Sequence, residues 1–239
     1  MTLRIAIVGH GKMGQVIARL APEHDCEVVR TIASAENADG KALTRESLQN
    51  VDVAIEFTTP QSAPRNLRRL IEAKIATVTG TTGWNADLQE IRELARARDA
   101  SVVWGPNFSV GLHHFRRTVA EAARRFAREE NYGAWGWEIH HAAKKDELSG
   151  TLLALAEEMT RNGYLRPVSL GANRAGTVFG THEIGFDSFE DTITIRHQAK
   201  GREGFARGAL RAARWLTGKN GFFEFREIAD ELPSRSAQP

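Results

Sequence analysis

Leu3-Arg4-Ile5-Ala6-Ile7-Val8-Gly9-His10-Gly11-Lys12-Met13-Gly14 is the stretch on which the fold turns. Six mostly apolar, β-branched residues read as a buried strand. They pass directly into a GxGxxG turn, and Lys12–Leu20 then continues at helical spacing. The glycines allow a tight turn and close approach of a pyrophosphate. The following helix start offers free N–H groups and the positive end of its dipole. Gly9, His10, Gly11, Lys12, Met13 and Gly14 are therefore expected to hold a dinucleotide; a tight turn without a ligand is the plainer alternative.

The same alternation continues outward from this point. Short apolar runs at Leu3–Val8, Glu27–Ile32, Val51–Phe57, Ile75–Thr79 and Ser101–Trp104 are separated by helix-period stretches at Lys12–Leu20, Gln61–Ala73 and Asn85–Arg98. Strands that are apolar nearly throughout imply a parallel sheet covered on both faces, and right-handed crossovers then make it doubly wound and Rossmann-like. The pattern changes at Gly105-Pro106-Asn107-Phe108. Beyond it lie a long helix near 111–128, a strand at 134–141, a helix near 151–161 and β-rich runs at 167–173, 177–186 and 191–199. Short connections between those runs predict antiparallel pairing, hence a second α+β domain with a mixed or antiparallel sheet. A helix near 204–216 and the run Phe222–Ile228 are expected to return to the first domain, because Phe222, Phe223 and Phe225 need a core. The expected division is 1–108 plus 208–239 for the dinucleotide-binding domain and 109–207 for a substrate-binding and oligomerisation domain. The tail 231–239 reads as disordered.

Composition narrows the function. With 239 residues, 41% hydrophobic and 26% charged, the chain is of ordinary globular type. Thirty-two Lys and Arg against 30 Asp and Glu leave a net charge of +2, which makes no case for nucleic acid. No apolar stretch reaches the ~18–20 residues of a membrane span, and the N-terminus lacks a signal-peptide pattern. The single Cys26 cannot form an internal disulfide, so a cytoplasmic protein is expected. Arginine clusters at 65–69, 116–117 and 124–128 sit at helical spacings and read as solvated faces.

Two further turns lie just past parallel strands, where an open α/β sheet builds its crevice. They are Phe57-Thr58-Thr59-Pro60 and Gly80-Thr81-Thr82-Gly83; ordinary turn chemistry is their alternative. The end of the second strand reads Ile32-Ala33-Ser34, with no acid to hold a ribose 2′-hydroxyl and Glu36 slightly late. Lys12 and Arg30 could meet a 2′-phosphate, which tilts the balance to NADPH while leaving NADH open. The densest chemistry runs from Glu138 to Thr151, Glu-Ile-His-His-Ala-Ala-Lys-Lys-Asp-Glu-Leu-Ser-Gly-Thr. A histidine there can supply a proton near neutral pH, and Lys144 can supply positive charge or act as the acid. Ser149-Gly150-Thr151 reads as a helix start suited to a carboxylate, so the segment suits a small di-acid. Packing at a strand end is the alternative for His140 and His141. Glu138, His140, His141 and Asp146 are metal-ligand types, but the spacing matches no zinc pattern and no metal is expected.

These residues resemble the 4-hydroxy-tetrahydrodipicolinate (dihydrodipicolinate) reductase family. Glu138 to Thr151 is similar to the family's E-x-H-H-x-x-K-x-D-x-P-S-G-T, with Leu148 in place of proline. Val78–Gly83 is similar to V-x-G-T-T-G, Gly105–Ser109 to A-P-N-F-S, Arg174–His182 to R-x-G-x-x-x-G-x-H, and Arg202–Ala209 to R-x-x-F-A-x-G-A. The resemblance implies reduction of a cyclic unsaturated dicarboxylate by NADPH or NADH in lysine and diaminopimelate biosynthesis. It implies His140 as proton donor and acceptor, Lys144 as proton donor, and His141, Ser149, Gly150 and Thr151 as substrate-binding residues. It further implies Gly9–Gly14, Phe57, Thr58, Gly80, Thr81, Thr82, Gly105, Pro106, Asn107 and Phe108 along the cofactor, and a homotetramer paired through the second domain's sheet. The chain departs from the family in a glycine loop one residue shorter, no acid after the second strand, and a shortened 152–173 segment. A related amino-acid or imine dehydrogenase and a non-catalytic dinucleotide sensor are the competing readings; retention of His140, His141 and Lys144 argues against both.

Overall fold

The computed structural model describes residues 2–233. One compact unit runs up to Ser109 and resumes at Arg202; the other is Val110–Gly201. In the first, strands β1 (Leu3–Val8), β2 (Cys26–Ile32), β3 (Val53–Glu56), β4 (Ala76–Thr79) and β5 (Ser101–Trp104) pair in the order β5-β4-β3-β1-β2. Every pair is parallel. All four positions of β3 and all but one of β1 are buried, as both faces of the sheet are covered. Helix α1 (Lys12–Leu20) buries Gly14, Ile17 and Leu20, three residues apart. Helix α2 (Ala63–Glu72), with Pro64 in its first turn, buries Leu67, Leu70 and Ile71, and α3 (Leu88–Ala97) buries Ile91 and Ala95. The chain leaves β1 for β2 on one side and then crosses to β3 on the other. The loops after β1 and β3 therefore diverge and open a crevice at the carboxyl ends of those strands.

In the second unit, α4 (Val110–Phe126) and α5 (Gly150–Arg161) pack with a four-stranded sheet of order β7-β6-β8-β9. Strand β6 (Gly133–His140) alternates between buried and half-buried positions, so Ala134, Gly136, Glu138 and His140 share the buried face. Phe115, Val119, Leu152, Leu155, Met159, Tyr164, Ile184 and Phe186 fill the core there. Strands β8 (Thr181–Asp187) and β9 (Thr192–Gln198) form the expected antiparallel hairpin. Strand β7 (Val168–Arg174) does not pair with β8. It lies parallel to β6 on the other side, because α5 carries the chain back to the end at which β6 began.

The chain returns through α6 (Glu203–Leu216) to β10 (Gly221–Glu224), which adds a sixth parallel strand beside β5. Phe222 stacks with Trp104, and Phe225, at the start of α7 (Phe225–Ile228), packs 4.6 Å from Phe108. The expected disorder does not begin at Glu231. Leu232 is buried, and Arg211 donates to the carbonyls of Leu232 and Pro233; residues 234–239 lie outside the described residues. The arginines of the expected solvated faces are ion-paired at the surface, Arg68 to Asp87 and Glu90 and Arg124 to Glu121.

Gly208 lies inside α6, where alanine usually stabilises by about 0.5–1 kcal/mol. Here a Cβ would stand 1.7 Å from the Phe108 carbonyl oxygen. Gly208→Ala should instead lower stability by about 1–3 kcal/mol, the usual range for overpacking, measured by urea denaturation.

Candidate active site

The glycine loop is shaped by what cannot be added to it. Gly9 has φ 99°, and a Cβ on it would lie 2.1 Å from the Phe57 carbonyl oxygen; one on Gly14 would lie 2.1 Å from the Gly9 carbonyl oxygen. Gly11 is the opposite case, with nothing within 4 Å of a Cβ. It caps α1 without a side-chain hydrogen bond, and the first turn of α1 carries no acidic residue. Uncapped amides facing open space at a helix start fit a phosphate group, so these residues suit a dinucleotide.

Phe57 and Thr58 follow β3 beside this loop. The Phe57 ring lies where a Cβ on Gly80 would be, and Thr81 Oγ1 accepts from the Thr58 amide at 2.7 Å. Phe108 packs 6.1 Å from Phe57, and Asn107 Oδ1 accepts from the Ser109 amide at 2.8 Å. His10, Lys12, Thr82 and Pro106 are exposed. The structure thus joins the three predicted turns into one rim. What ties the turns after β3 and β4 to each other is Glu56, a fully buried carboxylate that the sequence reading missed. It accepts from Thr58 Oγ1, Thr79 Oγ1 at 2.7 Å, Thr81 Oγ1 at 2.9 Å and Asn66 Nδ2 at 3.3 Å. Past β2, the chain after Ile32 turns back on itself. Glu36 folds back to accept from the Ala33 amide at 3.0 Å and pairs with Arg30 at 3.6 Å. The late Glu36 and the basic Arg30, the two candidate groups at this strand end, thus face each other.

In the second unit, His140 ends β6 and Ser149 begins α5, so one short loop carries His141, Lys144 and Asp146 between them. Arg174, at the end of β7, fastens that loop by donating to the carbonyls of Asp146 at 2.8 Å and Glu147 at 3.1 Å. Lys144 Nζ meets Asp146 Oδ2 at 2.6 Å, and this pairing holds the Asp146 carboxyl below its usual range. Ser149 Oγ caps α5 by accepting from the Leu152 amide, and the first turn, with the exposed Gly150 and the neighbouring Thr151, carries no acidic residue. His141 is exposed, whereas His140 is buried. Burial lowers the His140 pKa, against the opposing pull of the Glu138 charge. Glu138 and His182 join this group through strand register, which sets them directly opposite each other on β6 and β8. Glu138, His140 and His182 bring ligand atoms within 4.8 Å of one another. The group is nonetheless poorly suited to a resident cation, because Ser149 and Arg174 already occupy the carboxylate.

Burial raises the pKa of Glu56 above its ordinary value, against the lowering effect of its four donors. A carboxyl raised in the folded state binds its proton more tightly there than in the unfolded chain. Its ionisation therefore costs stability as pH rises from about 4.3 through the folded value. Glu56→Gln should gain on wild type across that interval, read as the difference between their urea midpoints at acidic and neutral pH.

Two family models cover the chain, the dihydrodipicolinate reductase N-terminus at residues 3–108 and C-terminus at residues 111–228. A 4-hydroxy-tetrahydrodipicolinate reductase of Christiangramia forsetii is 33% identical over 242 residues, covering 96% of this chain and 99% of the relative. That of Bdellovibrio bacteriovorus is 33% identical over 95% of this chain and 96% of its own length. Among solved structures, a dipicolinate-bound dihydrodipicolinate reductase from Paenisporosarcina sp. TG-14 superposes with a TM-score of 0.76. It is 21% identical and covers 95% of this chain and all of its own. An amine dehydrogenase from Mycobacterium smegmatis gives a TM-score of 0.58 at 11% identity, covering all of this chain and 98% of its own. The last two likenesses concern the fold.

Proposed function

This chain belongs to the dihydrodipicolinate reductase family, and from that premise we propose how its own residues divide the reaction. The enzyme is an oxidoreductase that reduces 4-hydroxy-tetrahydrodipicolinate to tetrahydrodipicolinate in lysine and diaminopimelate biosynthesis. NADH or NADPH supplies the hydride when bound. Gly9–Gly14, Phe57, Thr58, Gly80–Thr82 and Gly105–Phe108 hold the cofactor in the unit that ends at Ser109. In Val110–Gly201, His140 gives and takes the proton, Lys144 donates, His141, Gly150 and Thr151 hold the small dicarboxylate, and Ser149, whose amide and hydroxyl are both given to Glu138, serves them as the helix cap rather than as a direct ligand. The observation that carries this division is the loop between β6 and α5. It sets an imidazole, an ammonium group and a helix N-terminus together at one end of the sheet, with Arg174 fastening it. Such a constellation neutralises a di-acid and delivers a proton to it.

Three finer readings go with this. The less buried face of the second sheet, with Trp135 lying over Gly185 and Trp137 beyond it, pairs copies of the chain into a homotetramer. The buried, unpaired Cys26 thiol accords with a cytoplasmic setting. No described helix is long and apolar enough to cross a membrane. Glu36 favours a ribose with a free 2′-hydroxyl, which moves the preference toward NADH.

Supplying the substrate from pyruvate and aspartate semialdehyde with the preceding synthase, and following oxidation of each cofactor, tests the assignment. His140→Ala should lower kcat by about 10²–10⁴-fold with cofactor affinity unchanged, and Lys144→Ala should lower kcat as well. Substituting His141 should act mainly on substrate KM. Glu36→Ala should raise the NADPH-to-NADH ratio of kcat/KM by about tenfold, equivalent to about 1.4 kcal/mol; an unchanged ratio would remove Glu36 from cofactor choice.

A further inference from the structure

Glu138 has no solvent exposure, yet it stands within reach of three other elements. Its Oε1 accepts from the Ser149 amide at 2.9 Å and from Arg174 at 2.9 Å. Its Oε2 accepts from Ser149 Oγ and faces His182 Nε2 at 3.3 Å. His140, two residues on and on the same face, turns Nδ1 toward Oε1 at 3.7 Å. That nitrogen is buried and has no hydrogen-bond partner of its own. The opposite nitrogen, Nε2, faces Gly180 across a space that a Cβ would enter at 2.9 Å. Burial pushes the Glu138 carboxyl up, but the Ser149 and Arg174 hydrogen bonds outweigh it and keep the group ionised. Burial also lowers His182 to about 4, so His182 is neutral, with its proton on the nitrogen that meets the carboxylate.

We propose that Glu138 is the positioning residue of this site, its one carboxylate orienting both the proton-carrying ring of His140 and the serine that caps the substrate-binding helix. The proposal rests on the reductase reading and extends it. When His140 releases a proton from Nε2 to the substrate, Glu138 stabilises the remaining Nδ1–H tautomer, a contact that is long here and tightens with substrate bound. Through Ser149 the same carboxylate fixes the first turn of α5, so that the Gly150 and Thr151 amides stay aimed at a substrate carboxylate. Proton delivery and anion binding thereby share one anchor. The charged and titratable groups facing His140 are Glu138 on its own strand, His141 and Lys144 on the next loop, Arg174 on β7 and His182 on β8; His197 on β9 lies behind His182. Glu138 is the one anion among them, so removing its charge disfavours the imidazolium.

The test compares wild type with Glu138→Gln, Glu138→Asp and Ser149→Ala. It uses kcat and KM across pH, and calorimetric titration with pyridine-2,6-dicarboxylate as a non-reacting di-acid. Glu138→Gln should move the alkaline limb of kcat/KM to lower pH by about one unit and weaken di-acid binding by roughly tenfold. Glu138→Asp keeps the charge but withdraws it by one methylene. It should leave the limb in place while raising KM. Ser149→Ala should raise KM and weaken the di-acid without moving the limb, and it carries the test should Glu138→Gln fail to fold. A Glu138→Gln enzyme with the wild-type limb and wild-type di-acid affinity would overturn the proposal, as would a Ser149→Ala enzyme with unchanged affinity. Wild type that neither turns over nor binds the di-acid would overturn the reductase reading, and this proposal with it.

Discussion

A carboxylate taken out of water must be surrounded by donors or give up its charge, and both units of this protein are organised around that constraint. In the first, Glu56 at the end of β3 collects three threonine hydroxyls and an asparagine amide. In the second, Glu138 on β6 collects a serine amide and hydroxyl, a guanidinium group and an imidazole. The donors differ in kind, and so do the consequences. Neutral hydroxyls leave Glu56 with a raised pKa. A cation and a helix-capping serine leave Glu138 ionised.

The turns proposed for binding are tied to these anchors. Thr58 and Thr81 are held to each other and to Glu56, which draws the segments after β3 and β4 together under the Phe57 ring. The glycine loop then has its width limited by two carbonyl oxygens that admit no side chain. On the other unit, Arg174 reaches from β7 both to Glu138 and to the backbone of the loop that bears Lys144. A loop rich in charge is kept in place by a residue that lies 28 positions beyond the Asp146 carbonyl it bonds.

Much of this was legible from residue order. Short, nearly continuous apolar runs and period-3.6 patterns located the strands and helices of the first unit, and the three phenylalanines after residue 221 required the return to its core. Antiparallel pairing of β7 with β8 was the wrong inference. Proximity in sequence suggested it, but a helical crossover obliges β7 to run parallel to β6, and β8 takes the other edge. Leu232 and Pro233 read as part of a loose tail, and it is tertiary contact, with Arg211 of α6 donating to both carbonyls, that holds them.

Of the site, the sequence by itself determined the glycine loop, the threonine turns and the His140–Thr151 segment. Each is a local pattern whose residues are adjacent along the chain, and the motif resemblance tied that pattern to a reductase. Only the tertiary structure decided that Glu56 underlies the rim, that Glu36 curls back to the end of β2, and that His182 stands opposite Glu138. These are matters of strand register and of side chains converging from separate elements. Residue spacing specifies which face of a strand a side chain occupies, but not which strand will lie beside it.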